Sequence, residues 1–424
     1  MKKLMILLFL LAGCTVEEKS EIDCELFPSA TVCQEVDEVE KPIIIPEDDE
    51  EEEVIPEENP EEEPEEEVEE IPPYNICDDY PNHAECMGPL KSYQIHSYPD
   101  GNRAFNPFQF FDAYISMQLY LSPDQNEYVY TSIYNNLGEK YHQLSDKYNY
   151  YDGIVNVKTI NDNPEETHYL SKELYDLIKF SVTNSELTKG YFDISIGAAS
   201  SIWHYYREKC TTYNFHPSFC FVPKTEELES IRDKVDISKI ILNDEEMSIT
   251  MEEGMSLDLG GVAKGYFVEI LAQKFIDNGA RTFLINAGGN IKTYGSKPNG
   301  EFFTLGIQDP TLPRGQGKLS FDLNIPGGYS VVTSGDNVRY YKVDGEVYHH
   351  IINPYTLVPD RYSRQVTIIT NDSRAADILS TTVYLMTVED GIEYVNSLEN
   401  VEAIWYGLDN GISYSKNVMK FISG

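Results

Sequence analysis

The chain has no excess of positive charge: 32 Lys and Arg stand against 72 Asp and Glu among 424 residues, a formal net charge of −40. Nucleic-acid binding draws most of its free energy from cations set against phosphates, so no nucleic-acid partner is expected. Beyond the first dozen residues, no stretch reaches the ~18 apolar residues of a membrane span. A GxxxxGK[ST] loop and a GxGxxG turn are both missing, so neither of those phosphate-cradling signatures is available. CxxC spacing is missing too, which ranks a zinc site well below disulfides for the seven cysteines.

What is present begins with MKKLMILLFLLAGC: two lysines, a short apolar run, and small residues before Cys14. The run is too short for a mature membrane helix and reads as an export signal over residues 1–13. Leu11-Ala12-Gly13-Cys14 resembles the bacterial lipobox. That resemblance implies cleavage before Cys14 and a lipid on it, hence a protein held on the extracytoplasmic face of a membrane. Half of the net charge sits in residues 34–73, where 21 acidic residues and one Lys leave −20. Dense like charge with recurring Pro repels itself and buries no core, so this stretch is expected to be a disordered spacer.

With Cys14 set aside, six cysteines fall into close pairs: Cys24/Cys33, Cys77/Cys86 and Cys210/Cys220. The first two pairs share the frame C-x-x-[FY]-P-x-x-x-x-C, one on each side of the spacer. In an exported chain each pair is most simply a local disulfide. Residues 14–90 therefore read as an anchored N-terminal region with Cys loops at 24–33 and 77–86, and residues 91–424 as one catalytic domain.

Within that domain, apolar residues at three- and four-residue spacing predict helices over 126–148, 171–184, 225–234, 262–278, 375–386 and 388–398, and another containing Trp203. Strand patterns fall at 109–121, 282–286, 302–308, 319–324, 329–333 and 365–370, with a closing pair near the C-terminus. Helices and strands mix without βαβ alternation, which gives an α+β fold class.

The stretch MSLDLGGVAKGYFVEILAQKFIDNG, residues 255–279, reads as a short strand ending at Asp258, a turn at Gly260 and Gly261, and a helix with Lys264 in its first turn. Glycines that let the backbone come close, a helix start and an ammonium together suit an anion. INAGGNIKTYG, residues 285–295, places adjacent glycines at a strand end, where the backbone approaches something closely. In RAADILSTTVYLM, residues 374–386, Asp377 and Thr381 are four apart and share a helix face. A carboxylate, a hydroxyl and a backbone carbonyl suit a hard cation such as Mg2+. Each patch also has a plain structural reading: a solvent-facing Lys264, an Asp377 that caps its helix, a Thr381 bonded back to its own helix, a His350 satisfied in core or surface.

Taken in order, GYFDISIG, SLDLGGVAKGY, NAGGN, TSGDNVRYY, HHIINPYT and ADILSTTVYLM resemble the ApbE family of flavin transferases, from about Phe110 to the C-terminus. The resemblance implies a Mg2+-dependent reaction: FMN moves from FAD to a threonine hydroxyl of an exported acceptor flavoprotein as a phosphoester, and AMP leaves. It implies Mg2+ held by the carbonyl of Gly261 and the side chains of Asp377 and Thr381. It implies FAD contacts from Asp258 and Lys264, from Tyr191, Phe192 and Asp193 at the adenine or ribose end, from His350 and Ile351 beside the diphosphate, and from Phe111. His350 would accept the threonine proton. Three positions depart from the family pattern: Ala113 replaces the Thr of an FDT signature, Asn290 the Asp of NAGGD, and Leu357 the glycine of a turn that here reads Asn353-Pro354-Tyr355-Thr356-Leu357. Two other functions would use the same residues. One is an FAD pyrophosphatase, with water as nucleophile; the other is a non-catalytic FAD-binding surface lipoprotein.

Overall fold

The computed structural model describes residues 110–423, apart from 112, 124, 213–214, 313–318 and 338, together with two strands at 95–97 and 102–105. The expectations for the signal segment, Cys14, the two N-terminal Cys loops and the acidic spacer fall outside the described residues.

Alternating apolar residues build a nine-stranded sheet whose strands lie side by side in chain order. They are β1 (Ile95–Ser97), β2 (Asn102–Phe105), β3 (Ile115–Tyr120), β4 (Phe283–Ala287), β5 (Asn290–Tyr294), β6 (Ser330–Gly335), β7 (Ser363–Thr370), β8 (Glu402–Gly407) and β9 (Ile412–Tyr414). Every neighbouring pair is antiparallel, as the α+β reading expects. Side chains on a strand point alternately to the two faces, so each strand feeds two cores. Phe283, Ile285, Val332, Val366, Ile368 and Trp405 pack under helices, whereas Val331, Ile369 and Ile404 pack under a two-stranded ribbon, Phe303–Gln308 with Leu319–Ile325.

The longer helices are α1 (Glu127–Ser145), α2 (Lys172–Ser185), α3 (Gly197–Thr212), α4 (Ala263–Asp277), α5 (Ser373–Tyr384) and α6 (Val388–Asn396). Phe267, Leu271 and Phe275 recur at helical spacing on α4 and are fully buried, which fixes that helix against β4 and α1. Three expectations need correction. The segment before Asp258 is extended but makes only one bridge, Ser256 with Ile196; the Asn161 side chain takes the place of a strand neighbour, accepting from Leu257 N at 2.7 Å and donating to Leu257 O at 2.9 Å. The strand drawn over 109–121 starts only at Ile115, because Phe111 turns the chain with φ 57°. The helix drawn over 225–234 stops at Glu229 and continues as a separate 3-10 turn, Arg232–Lys234.

Gly288 and Gly289, with φ of 62° and 102°, form the two-residue hairpin between β4 and β5. The close approach expected there also holds, since a Cβ on Gly288 would lie 2.6 Å from the Ala113 Cβ. The Cys210–Cys220 disulfide forms at the end of α3.

Leu357 keeps a left-handed φ of 60° and is fully buried beside Trp203, whose indole donates to the Leu357 carbonyl at 2.8 Å. Leu357→Gly would relieve roughly 1–2 kcal/mol of backbone strain but forfeit roughly 2–5 kcal/mol of side-chain burial. Side-chain burial is the larger effect, so the variant is expected to be less stable in urea titrations; an unchanged or raised midpoint would contradict this.

Candidate functional site

Helix α4 begins at Val262 without a side-chain cap of its own. The group that serves its first turn comes from the next helix: Asp377 Oδ2 accepts the Gly265 N–H at 2.9 Å. The two helices come this close because residue 265 has no side chain; a Cβ there would lie 2.4 Å from the Ser373 carbonyl oxygen and 2.6 Å from the Asp377 Cβ. Asp377 is 4% exposed. Burial pushes its carboxyl pKa up, against the opposing pull of the Lys264 ammonium, the Gly265 N–H and the Asn290 amide.

The plain readings of this helix fail. Its cap is Asp372, which accepts from Arg374 N at 2.7 Å and Ala375 N at 3.2 Å, so Asp377 is not needed for that. Ser380 and Thr382 bond back to the carbonyls of Asp377 and Ile378 at 2.9 and 2.8 Å, but the Thr381 hydroxyl makes no hydrogen bond among the described residues. A Cβ on Gly261 would lie 3.4 Å from Thr381 Oγ1 and 3.3 Å from the Phe192 ring. Gly261, Asp377 and Thr381 are therefore brought to one place.

The glycine turn is held from outside. Asp258 Oδ2 takes the Lys147 ammonium at 2.6 Å and the Ser200 hydroxyl at 2.7 Å, while Oδ1 accepts the Gly260 N–H at 2.8 Å. Burial opposes ionisation of Asp258, but these donors, Lys147 foremost, hold its carboxyl below the usual carboxylate range. Lys264 Nζ donates to the Gly260 carbonyl at 3.2 Å from the other side of the turn.

His350 directly follows the strand Glu346–His349 and is exposed to solvent. Its pKa lies below the ordinary imidazole range, from desolvation first and then from Arg339, His349, Arg207 and Lys264. In a protein with 40 excess negative charges, the net field at this side chain is thus that of cations, Arg339, Arg207 and Lys264. The ring makes no hydrogen bond among the described residues and is neutral at physiological pH, so a nitrogen lone pair is open, although the same surroundings weaken it as a base.

Its neighbour His349 has a structural role. It is buried, its Nε2–H donates to the Asp360 carbonyl at 3.1 Å, and its Nδ1 accepts the Ile351 N–H at 3.3 Å. A second ring proton would destroy that acceptor, and burial pushes the pKa from 6.5 down to about 4. On acidification the unfolded chain takes up a proton near pH 6.5 that the folded one refuses until about pH 4, so stability is present above this window and falls within it. The expected loss by pH ~4.5 is on the order of 2 kcal/mol. Melting temperatures should drop over this range less steeply in His349→Gln than in the wild type, and parallel slopes would refute the assignment.

The other expected contacts are less uniformly placed. Phe192 is buried against Gly261. Asp193 binds its own turn, accepting from Ser195 N at 2.7 Å and Ser195 Oγ at 2.6 Å. Tyr191 packs edge-on to Tyr355, and Ile351 enters the core beneath β7 and α5. Phe111 stacks on Phe267 of α4 and offers its carbonyl to Arg339 at 3.5 Å. Lys147, Ser200 and Arg207 were not singled out beforehand. A lone lysine beyond a helix end gives no pattern to read.

Among the described residues, no group of three or more His, Cys, Asp and Glu could hold a metal. The donor set offered by Gly261, Asp377 and Thr381 is all oxygen with a single carboxylate, which fits a hard cation that takes its remaining ligands from water and phosphate.

A family model described as "ApbE family" matches residues 111–405. The chain belongs to the ApbE family. Among its ApbE relatives, the FAD:protein FMN transferase of Klebsiella pneumoniae is 29% identical over 238 residues, 56% of this chain and 69% of the relative. That of Treponema pallidum is 26% identical over 267 residues, 59% of this chain and 70% of the relative. In solved structures, the ApbE protein of Thermotoga maritima superposes with a TM-score of 0.64 at 26% identity, covering 78% of this chain and all of that one. The flavin transferase ApbE of Vibrio cholerae shares the fold, with a TM-score of 0.61 at 20% identity, covering 77% of this chain and all of that one.

Proposed function

We propose that this chain is a Mg2+-dependent FAD:protein FMN transferase that attaches FMN to a threonine of an exported flavoprotein and releases AMP. The observation that carries the reading is the buried Asp377 carboxylate, which its own helix does not need as a cap, beside an unbonded Thr381 hydroxyl at the Gly261 turn. Asp377, Thr381 and the Gly261 carbonyl would hold Mg2+, which when bound offsets charge on the FAD diphosphate. Lys264, Arg207 and Arg339 supply the fixed positive charge of the site, and Phe192 walls its floor. The acceptor threonine oxygen forms a bond to the phosphorus of the FMN half, and the bond from that phosphorus to the oxygen of AMP breaks. The hydroxyl proton passes to His350.

Export and a lipid anchor at Cys14 belong to the same proposal. The Cys210–Cys220 disulfide supports it, because such bonds persist in oxidising compartments.

Incubating the purified protein with FAD, Mg2+ and a candidate acceptor should give covalent flavin on the acceptor, read by in-gel fluorescence and mass. AMP and free FMN without labelling would point to hydrolysis, and unchanged FAD after long incubation to simple binding. Lys264→Ala should weaken FAD binding roughly tenfold or more through loss of a charge-assisted contact, with an unchanged melting temperature. Normal FAD affinity in that variant would return Lys264 to a solvent-facing role.

A further inference from the structure

Asn290 is the polar side chain the reaction above leaves unused. It opens β5 directly after the Gly288–Gly289 hairpin and pairs with Ala287 on one side and Val332 on the other. It is 1% exposed, and neither Oδ1 nor Nδ2 has a hydrogen-bond partner. A leucine would fill the same space at no polar cost, so two orphaned atoms here call for a missing partner. The amide faces Asp377 and draws its carboxyl pKa down as a donor would, but among the described residues no contact of hydrogen-bond length joins the two. Amide oxygen and nitrogen exchange places by a half-turn of the side chain. With the oxygen toward Asp377, two acceptors face each other, an arrangement that a small cation between them resolves.

We propose that Asn290 is a further ligand of the divalent cation at Asp377 and Thr381, through its side-chain oxygen. The inference rests on the reading of those two residues as a cation site. An amide in place of a carboxylate leaves the site one negative charge poorer, so the free protein holds its cation loosely and retains it better once the FAD diphosphate adds its own oxygens.

The test is Mn2+ binding to the full chain by electron paramagnetic resonance, without FAD. Asn290→Ala should weaken binding about tenfold or more, in line with loss of a supporting ligand. Asn290→Asp should tighten it, and a reference variant, Asp377→Asn, should abolish it. Thermal melts of metal-free Asn290→Leu should lie at or above the wild type, showing that the fold needs no amide, while the stabilisation by added Mn2+ disappears. If Asn290→Ala and Asn290→Leu bind Mn2+ within twofold of the wild type while Asp377→Asn does not, the inference is overturned and the cation site stands. Should the wild type bind no Mn2+, or Asp377→Asn bind it normally, both readings fall.

Discussion

Asp377→Asn is expected to lower FAD turnover on the order of 1,000-fold, the scale seen when a charge-stabilising group is removed from a reacting centre. The reason lies in what the substitution keeps. Asparagine matches aspartate in size, and its amide oxygen can still accept the Gly265 N–H that binds α5 to α4. Only the negative charge goes. That charge is buried at 4% exposure and costs folding free energy while no cation balances it, so metal-free stability should be unchanged or slightly higher. Activity and stability therefore move apart. A variant that turned over FAD within tenfold of wild type would remove Asp377 from the site.

Gly265→Val should damage the fold beneath the site severely. Its Cβ would enter 2.4 Å from the Ser373 carbonyl oxygen, which is helix backbone and cannot swing aside as a flexible side chain would. Helices α4 and α5 would have to separate, losing the Gly265–Asp377 bond and loosening both helical cores. The expected cost is at least about 3 kcal/mol, the upper range for overpacking. Gly289→Ala makes a useful contrast: nothing lies within 4 Å of its Cβ, so it meets only backbone strain at φ 102°, about 1–2 kcal/mol. Urea midpoints of the two variants measure the difference, and equal midpoints would show that the helices separate freely.

Much of this site can be read from one sequence because helical spacing carries it. Asp377 and Thr381 are four apart, and once α5 forms they must share a face. The same holds for the buried stripe of α4 and for the alternation in β4. Other features leave no such trace. Residues 255–258 bond to the backbone of 194–197 on one side and to the Asn161 side chain on the other, so their extended pattern is met by a single bridge and not by a regular strand. Lys147 reaches Asp258 across more than a hundred residues, and nothing near residue 147 marks it. The duty of Asp377 was ambiguous for a different reason: with two aspartates near the helix start, only the bonds from Asp372 to Arg374 and Ala375 decide which one caps.

The order of strands in the sheet has a consequence for how the protein comes to function. Strands β3 and β4 are neighbours in space, but residues 121–282 loop out between them, so their pairing closes a long loop at an entropic cost of roughly 4–5 kcal/mol. Such non-local pairing is slow to form. Gly261 and Lys264 sit inside that loop, whereas His350, Asp377 and Thr381 come from the strands and helix that follow it. Under the proposed function, the nascent chain, emerging N-terminus first, lacks part of the site until synthesis has passed Thr381. A fragment ending between α4 and α5 would carry the glycine turn and its lysine without Asp377.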